Sequence, residues 1–208
     1  SLPENSNALA PREAIAKWEN KTKEAIPMQV SVERVPLSTV PDSSDEYDNP
    51  NDGFVPDAVV KWNARGAQYE ASMDTSPGNS IVVVAESIEV EVLRQVDYHP
   101  CAYSASITPN VGHKSRTTKT FIYRNGGSTT PANLLVPVPK FAKVFTVYRD
   151  SWFDQIDIHL LDHRLNVVGA LGAGGSGILY EHMISNAIRF LRIVQEFESI
   201  VVVFHLEV

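Results

Sequence analysis

The sequence predicts an all-β protein, an antiparallel sandwich or barrel, and three observations carry that expectation. β-branched and aromatic residues gather in short runs separated by Pro, Gly and Asp clusters. Within several runs apolar and polar residues alternate with a period of two, as they do in a strand that buries one face. Strand-like runs are not interleaved with helical patterns, so a parallel α/β sheet does not follow.

The last third, 134–208, is richest in these signals. In Val136-Pro-Val-Pro139 the prolines remove two backbone donors, so a strand is expected to begin near Phe141. Ala142, Val144, Thr146 and Tyr148 then alternate with Lys143, Phe145, Val147 and Arg149, which leaves the buried face open. Ile156, Ile158 and Leu160 alternate with Asp157, His159 and Leu161. The runs 187–194 and 200–204 follow, around a charged break at Glu196-Phe-Glu198.

Upstream, residues 11–25 read as a short helix, with Pro11 at a first helical position and Ala14, Ile15 and Trp18 on one narrow face. Residues 28–35 alternate as a half-buried strand. The segment 41–53 holds Asp42, Asp45, Glu46, Asp48 and Asp52 and no aliphatic residue, so it reads as a solvated loop. Calcium would suit such oxygens, but the ordered spacing of a helix–loop–helix site is missing.

Residues 57–69 give a strand or a hairpin around Arg65-Gly66, and 75–80 a strong turn. The long run 81–94 is expected to bend or bulge near Ala85-Glu86. With strands at 103–108 and 118–124 the count reaches eight to ten strands and one helix. The expected organisation is an arm over 1–56 and a sandwich domain over 57–208.

Composition narrows the function classes. Apolar residues make up 43% of the 208, enough for a core. A formal charge of −7 disfavours a phosphate-binding surface. The loosely basic window is His113-Lys-Ser-Arg-Thr-Thr-Lys119, which reads as a solvated loop. Cys101 stands alone, so neither an internal disulfide nor a cysteine metal site is expected. No apolar run has the length of a membrane-spanning helix. The chain begins at Ser1 rather than Met, which fits processing or trimming upstream.

Several motifs invite chemical readings. Gly172-Ala-Gly-Gly-Ser-Gly177 matches the dinucleotide-binding glycine pattern, with an apolar run before it and Ile184, Ala187, Ile188 and Leu191 at helical spacing after it. A glycine loop between sheet strands is the simpler reading, because nothing upstream alternates strand with helix. Asp154, Asp157, His159, Asp162 and His163 crowd together like metal ligands, and Ser151 beside them suggests a nucleophile. No nucleophile elbow accompanies that serine, so no catalytic residue and no cofactor is assigned, and any metal is left open. Trp18, Trp62 and Trp152 suggest a sugar platform, with buried aromatics as the plainer alternative.

Taken together, 137–149, 156–162 and 186–208 resemble the C-terminal strands of single jelly-roll capsid proteins from small icosahedral viruses. The shared features are the Pro139-Lys-Phe-Ala142 entry into a strand, a middle strand ending in Asp162, a closing hairpin and an N-terminal arm. The resemblance implies a jelly-roll-like β-sandwich of eight strands in two sheets, self-assembly into a virion shell, contacts with other virion proteins and no enzyme activity. The chain lacks an Arg/Lys-rich arm, which counts against direct genome binding. A carbohydrate- or ligand-binding sandwich is the second expectation, and a dinucleotide-dependent enzyme using 172–177 a third.

Overall fold

The computed structural model describes residues 12–35, 37–39, 57–93, 95–96, 99–109, 115–124, 134–140, 142–194 and 198–207. These form fifteen strands and no helix: β1 (Arg12–Glu19), β2 (Ile26–Arg34), β3 (Ser38–Thr39), β4 (Ala58–Ala64), β5 (Ala67–Met73), β6 (Ser80–Ala85), β7 (Ser87–Leu93), β8 (Gln95–Val96), β9 (His99–Pro109), β10 (Ser115–Arg124), β11 (Leu134–Pro137), β12 (Ala142–Leu161), β13 (Val167–Met183), β14 (Phe190–Val194) and β15 (Glu198–Glu207). The pairings are all antiparallel. A small sheet runs β1-β7-β4-β5, and a large one runs β3-β11-β14-β12-β15-β10-β9-β2-β6, with β13 beside β12. The all-β antiparallel class therefore holds, as a sandwich and not a barrel.

The first core lies between the small sheet and the β6–β2–β9 end of the large one. Alternation builds it: Met28, Val30 and Val32 of β2 face Ile88, Val90 and Val92 of β7, all buried. Each such side chain contributes roughly 1.5–3 kcal/mol on burial. Tight turns set the registers. Arg65 and Gly66 both adopt positive φ, at 52° and 79°, which is what a two-residue hairpin between β4 and β5 requires. At the 75–80 turn Asp74 Oδ1 accepts from Ser76 N and Oγ, each at 2.7 Å, and Gly78 takes φ of 87°. The bend expected near Ala85-Glu86 is where the chain leaves the large sheet for the small one. Glu86 N donates to Asn63 O and Glu86 O accepts from Asn20 N, both at 2.8 Å, pinning the crossing.

Two expectations about the N-terminal part change. The helix over 11–25 is replaced by strand β1, which pairs with β7. A bulge between Ala14 and Ala16 inserts Ile15, so the inward apolar positions fall at 15, 16 and 18. Ile15 and Trp18 thus lie inward three residues apart, which mimics helical spacing, whereas Ala14 pairs with Glu91 on the outer face. The boundary at 56/57 does not separate an arm from a sandwich either. β2 is held between β9 and β6, and its inward side chains belong to the same core as those of β4 and β7.

The second core gathers Leu134, Val136, Phe145, Val147, Ile158, Leu160, Leu191, Ile193, Val202 and Phe204, all buried. It is organised by β12, twenty residues long, which joins two runs expected as separate strands. Register shifts at Arg149/Phe153 and Phe153/Ile156 insert extra residues into β12 opposite β13, and such bulges bend a long strand. Among the described residues β14 and β15 form no closing hairpin. β14 and β15 lie end to end along β12, β14 against Asp157–Leu161 and β15 against Ala142–Tyr148, rather than against each other. On β15, Val203 joins the first core while Val202 and Phe204 join the second.

Candidate functional site

Direct pairing in a sheet puts side chains on one face, and this sorts the small sheet. Trp18, Ile88, Trp62 and Tyr69 form one register row. Ile88 is buried in the first core, so the two tryptophans face inward with it and pack against that core. Tyr69 stacks on Trp62 with ring centroids 5.6 Å apart and planes 19° from parallel. Trp18 and Trp62 are thus core-facing aromatics, not a sugar platform, and the side chain of Trp152 falls outside the described residues.

The outward rows are polar. Lys17, Glu89, Lys61 and Glu70 form one, and Glu19, Ser87, Asn63 and Gln68 the next. The twist of the sheet makes this face a groove of about 440 Å³, walled by Lys17, Glu19, Lys61, Asn63, Gln68, Ser87 and Glu89. Trp18, Ile88 and Trp62 complete its lining. Lys61 Nζ donates to Glu91 Oε1 at 3.0 Å, and Lys17 lies 3.9 Å from Glu89. The Glu91 hydrogen bond and charge, with Glu70 and Glu89 adding to them, hold the Lys61 ammonium above its usual pKa against partial desolvation. Asn63 Nδ2 donates to Ser87 Oγ at 2.9 Å. Lys17 and Lys61 stand among Glu19, Glu70, Glu89 and Glu91, so the face carries no excess of cations with which to hold an anion. Sequence reading passed over these residues because each is merely the polar half of an alternating strand. Only the pairing of β1, β7 and β4 brings them together.

The other expected sites disperse. Gly172–Gly177 lies inside β13, paired with β12, neither in a loop nor before a helix. The residues at helical spacing after it form a turn and β14. The dinucleotide mechanism needs a helix N-terminus at the phosphate, and this geometry has none there. His159 Nδ1 accepts from Arg192 Nε at 3.2 Å and lies against Nη2 as well, so its unprotonated nitrogen is already engaged. Asp162 accepts from the backbone N–H groups of Arg164 and Asn166 at 2.8 and 2.9 Å, capping the β12–β13 turn. The side chains of Ser151, Asp154 and Asp157 lie outside the described residues, as does the acidic segment 41–53. Among the described residues no group of three or more His, Cys, Asp or Glu is placed to hold a metal ion, and no helix is long and apolar enough to cross a membrane.

From the expected basic window, Lys119 turns inward. Its Nζ donates to Ala14 O at 3.2 Å and sits 3.6 Å from Glu13 Oε1, linking β10 of the large sheet to β1 of the small one.

The class these observations define is an all-β antiparallel sandwich with two cores on one large sheet. No protein-family model matches the chain, nor does any curated protein or solved structure.

Proposed function

We propose that this chain is a structural protein that assembles with copies of itself into an icosahedral viral capsid, and that it resides in the virion. The observation that carries the reading is a long uncharged run on two sheet edges, the whole of β6 and β13 as far as Tyr180, before Glu181. Among the described strands β6 bonds only to β2, and β13 only to β12. Neither Ser80–Ala85 nor the stretch from Val167 to Tyr180 contains a charged residue or a proline. Protein edges are ordinarily blunted by charge, proline or short length, because open edges recruit other strands. A protein that lives as an assembly benefits from keeping them. The resemblance of the C-terminal strands to jelly-roll coat proteins, which rests on the Pro139-Lys-Phe-Ala142 entry and the strand before Asp162 and not on a closing hairpin, suggests the kind of assembly. Neighbouring copies are the main partners, with other virion proteins as further ones.

Electron microscopy and light scattering of the purified protein test this across roughly pH 5 to 8 and a range of salt. Closed particles of uniform size are expected. A monomer under every condition would remove the proposal.

The outer groove favours a second reading, a carbohydrate-binding sandwich. Asn63, Gln68 and Ser87 offer the neutral donors and acceptors that sugar hydroxyls need, between two Lys–Glu pairs. Saturable glycan binding by a monomeric protein, lost in Asn63→Ala with Gln68→Ala, would favour it over the first.

A further inference from the structure

We infer that β6 pairs with β6 of a second copy of this chain across a two-fold axis, so that the large sheet continues from one molecule into the next. The inference rests on the self-assembly reading and names one of its contacts.

Alternate backbone N–H and C=O groups along the outer side of β6 have no ladder partner among the described residues, since β2 occupies only the other side. The strand reads Ser80-Ile-Val-Val-Val-Ala85, a β-branched run without Gly, Pro or charge. Val83 and Ala85 point into the first core, whereas Val82 and Val84 are 57% and 48% exposed on the outer face. The edges of the small sheet differ. β1 carries Arg12, Glu13, Lys17, Glu19 and a bulge, and β5 carries Glu70. Those devices discourage strand addition, and β6 has none of them.

The occupant follows from charge and symmetry. A charged peptide gains no ionic contact from a neutral apolar edge, and its own charges would face valines. A second β6 brings no charge of its own. A two-fold axis perpendicular to the sheet keeps outer faces outer, so it pairs only residues separated by an even number of positions. Centred on Val83, it sets Val82 against Val84 of the copy and Val84 against Val82. Both exposed valines then acquire β-branched cross-strand partners and Ile81 meets Ala85, with no like charges opposed. Five residues a side is small against the ~20–30 of a stable interface, so this contact acts as one among several in an assembly.

The test uses the full chain carrying Val82→Lys with Val84→Lys. Both positions are exposed, so the monomer should fold with unchanged circular dichroism and melting temperature. Pairing would then oppose two lysines twice across the axis. The concentration needed for association should rise about tenfold or more. Ser72→Lys, at an exposed position on the charged edge β5 outside the groove, should leave assembly unchanged. In a Cys101→Ser background, Val82→Cys with Val84→Cys should form intermolecular disulfides on mild oxidation. Normal particles from the lysine variant, with no cross-link in the cysteine variant, would overturn this contact while leaving self-assembly intact. A wild-type chain that stays monomeric throughout would overturn both.

Discussion

The two cores are built in different ways. In the first, short strands joined by tight turns lay two sheets face to face, and nearly every buried position follows from strict alternation within its own strand. In the second, one twenty-residue strand bends at bulges and collects β11, β14, β15 and β13 around it. The first core is specified locally, residue by residue. The second depends on which distant segments come to lie beside β12. Because β15 contributes Val203 to one and Phe204 to the other, the two are expected to unfold together.

The largest expected effect tests that coupling. Phe204 is fully buried and its ring lies 6.1 Å from that of Phe145. Phe204→Ala should cost ~3–5 kcal/mol, and Met28→Ala in the first core ~2–5 kcal/mol. Urea unfolding followed by tryptophan fluorescence and by far-ultraviolet circular dichroism should show one coincident transition for each variant. Two separated transitions in Phe204→Ala would mean that the cores are independent units.

A smaller effect concerns the strut between the sheets. Lys119→Ala removes the donor to Ala14 O and the partner of Glu13, and should cost roughly 1–3 kcal/mol. The lysine side chain is only 12% exposed and Glu13 Oε2 is buried, although the glutamate side chain as a whole is 31% exposed, which moves the cost toward the higher figure. Lys119→Met preserves the apolar stem and should recover part of the loss. Equal stability of all three proteins in chemical denaturation would mean that β1 is held by apolar contacts alone.

The smallest effect is a pH dependence at the hairpin that the second core hangs on. The backbone N–H of Asn166 first, then that of Arg164, hold the Asp162 carboxyl below its ordinary pKa of 3.8 against partial desolvation. A depressed folded-state pKa means that the stabilisation is present above 3.8 and is lost as pH falls through the lower folded value. Asp162→Asn keeps an acceptor oxygen but no charge. Its melting temperature should therefore fall less than wild type on acidification below about pH 4. Parallel acid profiles for the two proteins would assign the turn's stability to its backbone bonds instead, Leu165 N to Asp162 O and Asp162 N to Asn166 O, each at 3.0 Å.

Sequence reading succeeded where the physics is local. The alternation in 28–35 marked β2 and its buried face, Arg65-Gly66 marked a hairpin turn, and Ala85-Glu86 marked a break. It failed where a partner strand decides. Ile15 reads as part of a helical stripe because nothing in the sequence reveals that β7 leaves it as a bulge. The glycines at 172–177 suggest a loop, yet ladder bonds to β12 hold them extended. The outer groove was illegible for the same reason, since Lys61, Glu89 and Lys17 become neighbours only through pairing.

The residues alone therefore settle that this chain is all-β, which side of a cleanly alternating strand such as 28–35 is buried, and where tight turns fall, but not the buried face of 142–149. Those properties follow from side-chain alternation and from backbone preferences within a few positions. The order of strands across the sheets, the end-to-end placement of β14 and β15 along β12, and the exposure of the β6 edge were decided by tertiary structure. Many pairings satisfy the same alternation equally well. The choice among them rests on how the whole chain closes both cores while satisfying every buried backbone group.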